Sequence, residues 1–155
     1  KTIYDAKPQI AGTEAHRAIE AGTYSTRKEI LQGLEVFSEK YNLCGKIDTY
    51  NLKTKTLTER KREIKKIYAG YVFQVYAQYF AMTEMGYVVD KINIYDMAHN
   101  KNYNVLLPDE DPEMFSKFEQ LVFDMEHFDL NASFIPNLAK CSSCIYANLC
   151  DRSLC

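Results

Sequence analysis

The chain has 155 residues and 18.0 kDa, with 46% apolar and 26% charged residues and only 6 Gly and 4 Pro, a composition that supports one packed domain and excludes a disordered tail. Nineteen basic residues against 21 acidic ones give a net charge of -2, which argues against a protein that coats nucleic acid by bulk charge. No stretch approaches the roughly 18 to 20 consecutive apolar residues of a membrane span, and Lys1-Thr-Ile-Tyr-Asp5 has the features of neither a signal nor a transit peptide, so a soluble, cytoplasmic protein is expected.

Residues 12–21 (GTEAHRAIEA) read as a short helix with Thr13 as N-cap, Gly22 as stop and His16 inside it. Apolar and polar residues alternate over 34–37 and 43–50, and a third run, 55–61, follows the turn-like Asn51-Leu-Lys-Thr54; these three predict an antiparallel meander. Residues 68–85, rich in aromatic residues and Ala and closed by Gly86, predict a largely buried helix, and 87–95 returns as a strand. His99-Asn-Lys-Asn102 predicts a hairpin turn into 103–107. The Asp109-Glu-Asp-Pro112 cluster predicts the start of a helix over 112–127, because carboxylates and Pro both suit a helix N-terminus. No repeat or linker interrupts this order. The fold class that follows is α/β, of the α+β kind on a mixed sheet, in one domain over 1–155.

The average charge hides a split. Residues 53–66 hold seven basic and two acidic residues, whereas 106–155 hold three basic and nine acidic. A basic run of this kind is usually a solvated face, but beside a hydrolytic site it would suit a phosphodiester substrate. The cysteines are Cys44, Cys141, Cys144, Cys150 and Cys155, an odd number concentrated at the end, which fits a metal or cluster site better than a disulfide scaffold. Cys141, Cys144 and Cys150 in the segment 139–155 place three thiolates close enough in sequence to share one centre.

The strand pair carries the chemical interest. A turn centred on Lys53-Thr54 sets Asp48 directly opposite Glu59, and side-chain alternation puts Lys61 on the face of Glu59. Two carboxylates placed opposite each other repel, so the pair calls for a divalent cation or a cationic neighbour, with Mg²⁺ or Mn²⁺ the natural ion for oxygen ligands. The tripeptide D/E-x-K is weak by itself, since Asp5-Ala-Lys7 and Glu63-Ile-Lys65 match it too; only Glu59-Arg-Lys61 has a strand context and a geometric partner. His99 and His127 lack such a context, Cys44 is expected to be a buried thiol, and Glu63 and Lys65 are expected to be solvated. The aromatic residues of 68–80 are expected in the core, with an edge Tyr available to stack a base.

Gly12-Thr-Glu-Ala-His16, Gly45-x-x-Asp48, Glu59-Arg-Lys61, Gln74-Val-Tyr-Ala-Gln78 and Cys141-x2-Cys144-x5-Cys150, in this order, resemble the motifs of RecB-type nucleases of the CRISPR-associated Cas-four family, over about residues 9–150. The resemblance implies a restriction-endonuclease-like PD-(D/E)xK core with a C-terminal cysteine cluster segment. It implies His16, Asp48, Glu59 and the Arg60 carbonyl as metal ligands, Lys61 as the catalytic lysine and Gln74 as a positioning group. It also implies a 4Fe-4S cluster on Cys141, Cys144 and Cys150, with tetrahedral Zn²⁺ as the alternative occupant and the fourth ligand expected upstream of Lys1. The position four after Gln74, often Tyr in RecB-type nucleases, is Gln78 here, and its role stays open. The implied activity is a Mn²⁺- or Mg²⁺-dependent exonuclease on single-stranded DNA or overhangs, running 5′ to 3′ and trimming prespacers with the CRISPR integrase of Cas-one and Cas-two proteins. Two alternatives are a cluster-bearing docking module for DNA ends and the integrase, for which the acidic 106–155 segment offers a surface, and a RecB-type repair nuclease outside CRISPR.

Overall fold

The computed structural model describes residues 16–19, 21–129, 131–133, 135–144 and 146–153. Seven strands are present: β1 (Ile30–Gln32), β2 (Glu35–Ser38), β3 (Leu43–Lys46), β4 (Thr49–Asn51), β5 (Thr56–Lys61), β6 (Lys91–Asp96) and β7 (Lys101–Val105). Two long helices, α1 (Ala69–Glu84) and α2 (Pro112–Glu126), and a short α3 (Leu138–Cys141) complete the regular structure with a 3₁₀ turn, Ala147–Leu149. The main sheet has the order β1-β4-β5-β6-β7, with β5 and β6 parallel and the other neighbours antiparallel, while β2 and β3 form a separate ribbon. The chain is therefore mixed α/β, built on a five-stranded mixed sheet.

The expected three-stranded meander is corrected in one respect: the run 43–50 is two strands in two different sheets. Gly33, at φ +61, turns the chain out of β1, and its N–H donates to the Asp48 carbonyl at 3.1 Å while the Ile47 N–H donates to the Leu34 carbonyl at 3.0 Å. These crossing bonds let β4 leave the β2–β3 ribbon and join β1. Strand β1 itself was not anticipated, because three residues are too few to show alternation. The next turn matches expectation: Asn51 Oδ1 accepts from the N–H groups of Lys53 and Thr54 at 2.9 and 3.0 Å, and Lys55 takes φ +49 to enter β5. Strand β6 starts four residues later than expected, at Lys91. Of the first helix, residues 16–19 are helical; residues 12–15 and 20 lie outside the described residues.

Helix α1 exists because Val72, Val75, Tyr76 and Met82 recur at helical spacing and are all buried; it closes where Gly86, at φ +88, follows the last turn. It packs on β5, β6 and the β2–β3 ribbon, over a core that includes Tyr50, Leu57, Ile92 and Ile94. Helix α2 starts as its sequence dictates, with Asp111 as N-cap accepting from the Met114 N–H at 3.1 Å and Pro112 in the first turn. Phe118 then docks it onto α1 through ring contacts with Tyr76 and Phe80, at centroid separations of 6.0 and 5.7 Å.

The front face of the main sheet thus holds the apolar core and α1. Alternation sends Thr49, Thr58, Arg60, Tyr95 and Asn102 to the opposite face, where the strand registers Thr49↔Thr58, Arg60↔Tyr95 and Tyr95↔Asn102 place them side by side. No described helix is long and apolar enough to cross a membrane.

Candidate metal centre

The register Thr49↔Thr58, Tyr50↔Leu57 and Asn51↔Thr56 is the one a turn centred on Lys53-Thr54 requires, and it carries Asp48, just before β4, to the level of Glu59. Helical residues 16–19 bring His16 onto the same point. Ligand atoms of His16, Asp48 and Glu59 all lie within 4.8 Å of one another, and they are the only such group of three or more His, Cys, Asp or Glu among the described residues. Asp48 and Glu59 are 8% and 3% exposed, so two carboxylates share a site nearly closed to water. That arrangement is costly unless cations or strong donors surround it.

Every carboxylate oxygen of the pair has a donor. Asp48 Oδ1 lies 2.8 Å from His16 Nδ1, and Asp48 Oδ2 accepts from the Arg60 N–H at 2.6 Å. Glu59 Oε1 accepts from Lys61 Nζ at 2.9 Å and from Gln74 Nε2 at 2.7 Å, and Glu59 Oε2 accepts from Gln78 Nε2 at 2.9 Å. Gln74 Oε1 in turn accepts from Lys61 Nζ at 2.6 Å, which fixes both the lysine and the orientation of the Gln74 amide. The hydrogen bond to Asp48 holds the His16 imidazole above its ordinary pKa; burial and the Lys61 charge oppose this, and the charges of Asp48 and Glu59 add to it.

One imidazole and two carboxylates are a donor set that suits a hard divalent cation such as Mg²⁺ or Mn²⁺. The residues present fit that ion by chemistry and by convergence. A cavity of about 240 Å³, lined by Gly45, Lys46, Gln74 and Gln78 among others, opens beside the site between the ribbon and α1. A Cβ built on Gly45 would meet nothing within 4 Å, so the glycine of Gly45-x-x-Asp48 borders open space rather than a packed contact.

His16, Asp48, Glu59, Lys61 and Gln74 are therefore brought together, and the Arg60 peptide is tied to them through its N–H. Gln78 joins them. Its role was open in the sequence, although its spacing of four from Gln74 already placed both amides on one helix face. Cys44 is corrected: it is exposed on the open side of β3 rather than buried. Cys141, Cys144 and Cys150 are free thiols, the first half-buried and the others exposed, and no cysteine joins a group of three or more ligand atoms within 4.8 Å among the described residues. The described thiols do not gather into a four-thiolate set, and Cys155 lies outside the described residues. His99, which the sequence left without a role, donates its N–H at 3.3 Å and sets Nδ1 2.7 Å from the fully buried carboxylate of Asp96, which also accepts from the Ile64 N–H at 3.2 Å. That network pins the chain just beyond Lys61.

No family model matches this chain, and neither does any curated protein.

Proposed function

We propose that the chain is a metal-dependent DNA nuclease with a PD-(D/E)xK core, of the RecB type found in the Cas-four family, acting on single-stranded ends. The observation that carries this reading is the convergence of His16, Asp48 and Glu59 within 4.8 Å, with Lys61 Nζ 2.9 Å from Glu59. A divalent cation held by His16, Asp48, Glu59 and the Arg60 carbonyl would polarise the scissile phosphate and lower the pKa of an attacking water. Lys61, held by Glu59 and Gln74, orients that water and offsets charge that develops on the phosphoryl oxygens. Gln74 and Gln78 fix the Glu59 carboxylate from both oxygens, and the Arg60 N–H fixes Asp48. The proposal extends to prespacer trimming in the cytoplasm beside the integrase of Cas-one and Cas-two proteins. It also extends to a 4Fe-4S cluster on Cys141, Cys144 and Cys150, supported by their spacing, though no catalytic step runs through it.

The test is digestion of single-stranded DNA labelled at either end, with Mn²⁺, with Mg²⁺ and with chelator. Loss of a 5′ label as the first product, only with metal, is the expected result. Digestion that persists in chelator would remove the metal from the reading, and first release of a 3′ label would reverse the polarity. Iron and acid-labile sulfide in protein purified without oxygen test the cluster separately.

A further inference from the structure

The face of the main sheet opposite the carboxylate pair holds a second polar site. A cavity of about 440 Å³ is lined there by Tyr24, Arg27, Thr49, Thr58, Arg60 and Tyr95, together with Ser25, Ile30 and Asn102, and no carboxylate among the described residues lines it. Arg60 is 8% exposed, and among the described residues it makes no ion pair and its buried Nε has no hydrogen-bond partner. A buried Nε–H left in this condition is costly, because it loses its water without gaining an acceptor. Its neighbours are rings: the guanidinium carbon lies 4.1 Å from the Tyr24 ring centroid and 5.8 Å from that of Tyr95.

The wall that carries Tyr24 and Arg27 is anchored. Gln32, at the end of β1, donates Nε2 to the carbonyls of Gly22 and Ser25 at 2.8 and 2.9 Å and accepts from the Ser25 N–H at 3.0 Å, which ties the loop 22–27 to the back of the sheet. Two guanidinia, three hydroxyl side chains and two tyrosine rings therefore meet in one open cavity.

We infer that this back-face cavity is a nucleotide-phosphate site, in which Arg60 and Arg27 hold the phosphoryl oxygens and Tyr24 stacks the attached base. The planar fork of Arg matches phosphate oxygens better than any other side chain, the hydroxyls of Ser25 and Thr58 supply neutral donors, and an exposed Tyr gives a face on which any base can lie. An acidic peptide would satisfy the arginines but leave the stacking surface unused. The source of the phosphate is either a free nucleotide or a phosphodiester strand. The site stands apart from the carboxylate pair, since Glu59 and Lys61 project from the other face of β5.

The test is calorimetric titration of the full chain with dAMP, inorganic phosphate, deoxyadenosine and a short oligo(dA), all in chelator so that no cleavage is needed. Saturable binding of dAMP and no binding of deoxyadenosine are expected. Arg27→Gln and Arg60→Gln should each weaken dAMP by about tenfold, the loss of one charge-assisted contact. Arg27 and Tyr24 are exposed, so Arg27→Gln and Tyr24→Ala keep the test valid if the Arg60 variant fails to fold. Tyr24→Ala should weaken dAMP but not inorganic phosphate. Oligo(dA) that binds more tightly than dAMP identifies a strand as the source, and equal affinity identifies a free nucleotide. The inference is overturned by the absence of saturable dAMP binding or by wild-type affinity in both exposed variants. Loss of nuclease activity with back-face binding intact would count against the proposed function alone.

Discussion

At the scale of single residues, the site is decided by which group holds which oxygen. Gln78 is buried and spends its amide on the Lys46 carbonyl and on Glu59 Oε2, leaving its own Oε1 without a partner. A glutamine kept there at the expense of an unsatisfied oxygen acts through Glu59, as a positioning residue. Gln78→Leu should lower metal affinity or turnover by about 10- to 100-fold, the usual cost of losing a group that orients a ligand. Mn²⁺ titration of the cleavage rate separates this from misfolding, because raised metal rescues a positioning defect and not an unfolded chain. Tyr76 carries a second prediction. Burial, with the charges of Asp111, Glu110 and Asp109 adding to it, pushes its hydroxyl from the usual 10.0 up to about 12. A raised folded-state pKa gives stability that is complete below pH 10.0 and lost as pH rises toward about 12, because the unfolded chain releases the proton first. Denaturant midpoints should fall across that window, and less steeply in Tyr76→Phe. The slope is reduced rather than removed, since burial pushes Tyr50 and Tyr79 in the same direction. Asp48, Glu59, Lys61, His16 and Gln74 were legible in the sequence through their motif order. The network of Asp96 and His99 was not, because it depends on a parallel pairing of β5 with β6 that no local pattern announces.

At the scale of elements, α1 has two duties on adjacent faces. One stripe, Val72, Val75, Tyr76 and Met82, is core, and Gln74 with Gln78 points at β5. The geometry of the site therefore rests on how α1 is seated, and Phe118 of α2 packs against its Tyr76 and Phe80 rings. Phe118→Ala should cost about 3 to 5 kcal/mol, read as a lowered denaturant midpoint with an unchanged slope. Both long helices could be placed from sequence, α1 because Gly86 closes a run rich in aromatic residues and Ala, and α2 because Asp111 and Pro112 open it. The β2–β3 ribbon and β4 could not be separated, since the break falls inside the continuous run 43–50 and is set by hydrogen bonds from Gly33 and Ile47 rather than by composition.

At the scale of the molecule, the β5 strand divides the protein's chemistry between two faces: Glu59 and Lys61 with the carboxylate pair in front, and Arg60 with its tyrosines behind. A cation that binds only the folded front site must stabilise the chain by mass action, by about 2.7 kcal/mol at a concentration one hundred times its dissociation constant. Mn²⁺ should therefore raise the melting temperature of the intact protein, and Asp48→Asn should remove most of that rise. The alternation that makes this division was readable from β5 itself, but the polar back face was not, because Thr58 and Arg60 of β5 meet residues of β1, β4, β6, β7 and the loop 22–27 there. The most direct measurement compares the intact protein with Lys61→Ala on end-labelled single-stranded DNA, with Mn²⁺ and with chelator, after circular dichroism has shown both to be folded. A metal-dependent nuclease site built around Lys61 requires digestion by the intact protein only with metal, and a rate at least about a hundredfold lower in the variant. Equal digestion by both proteins, or none by a folded, metal-loaded intact protein, would contradict it.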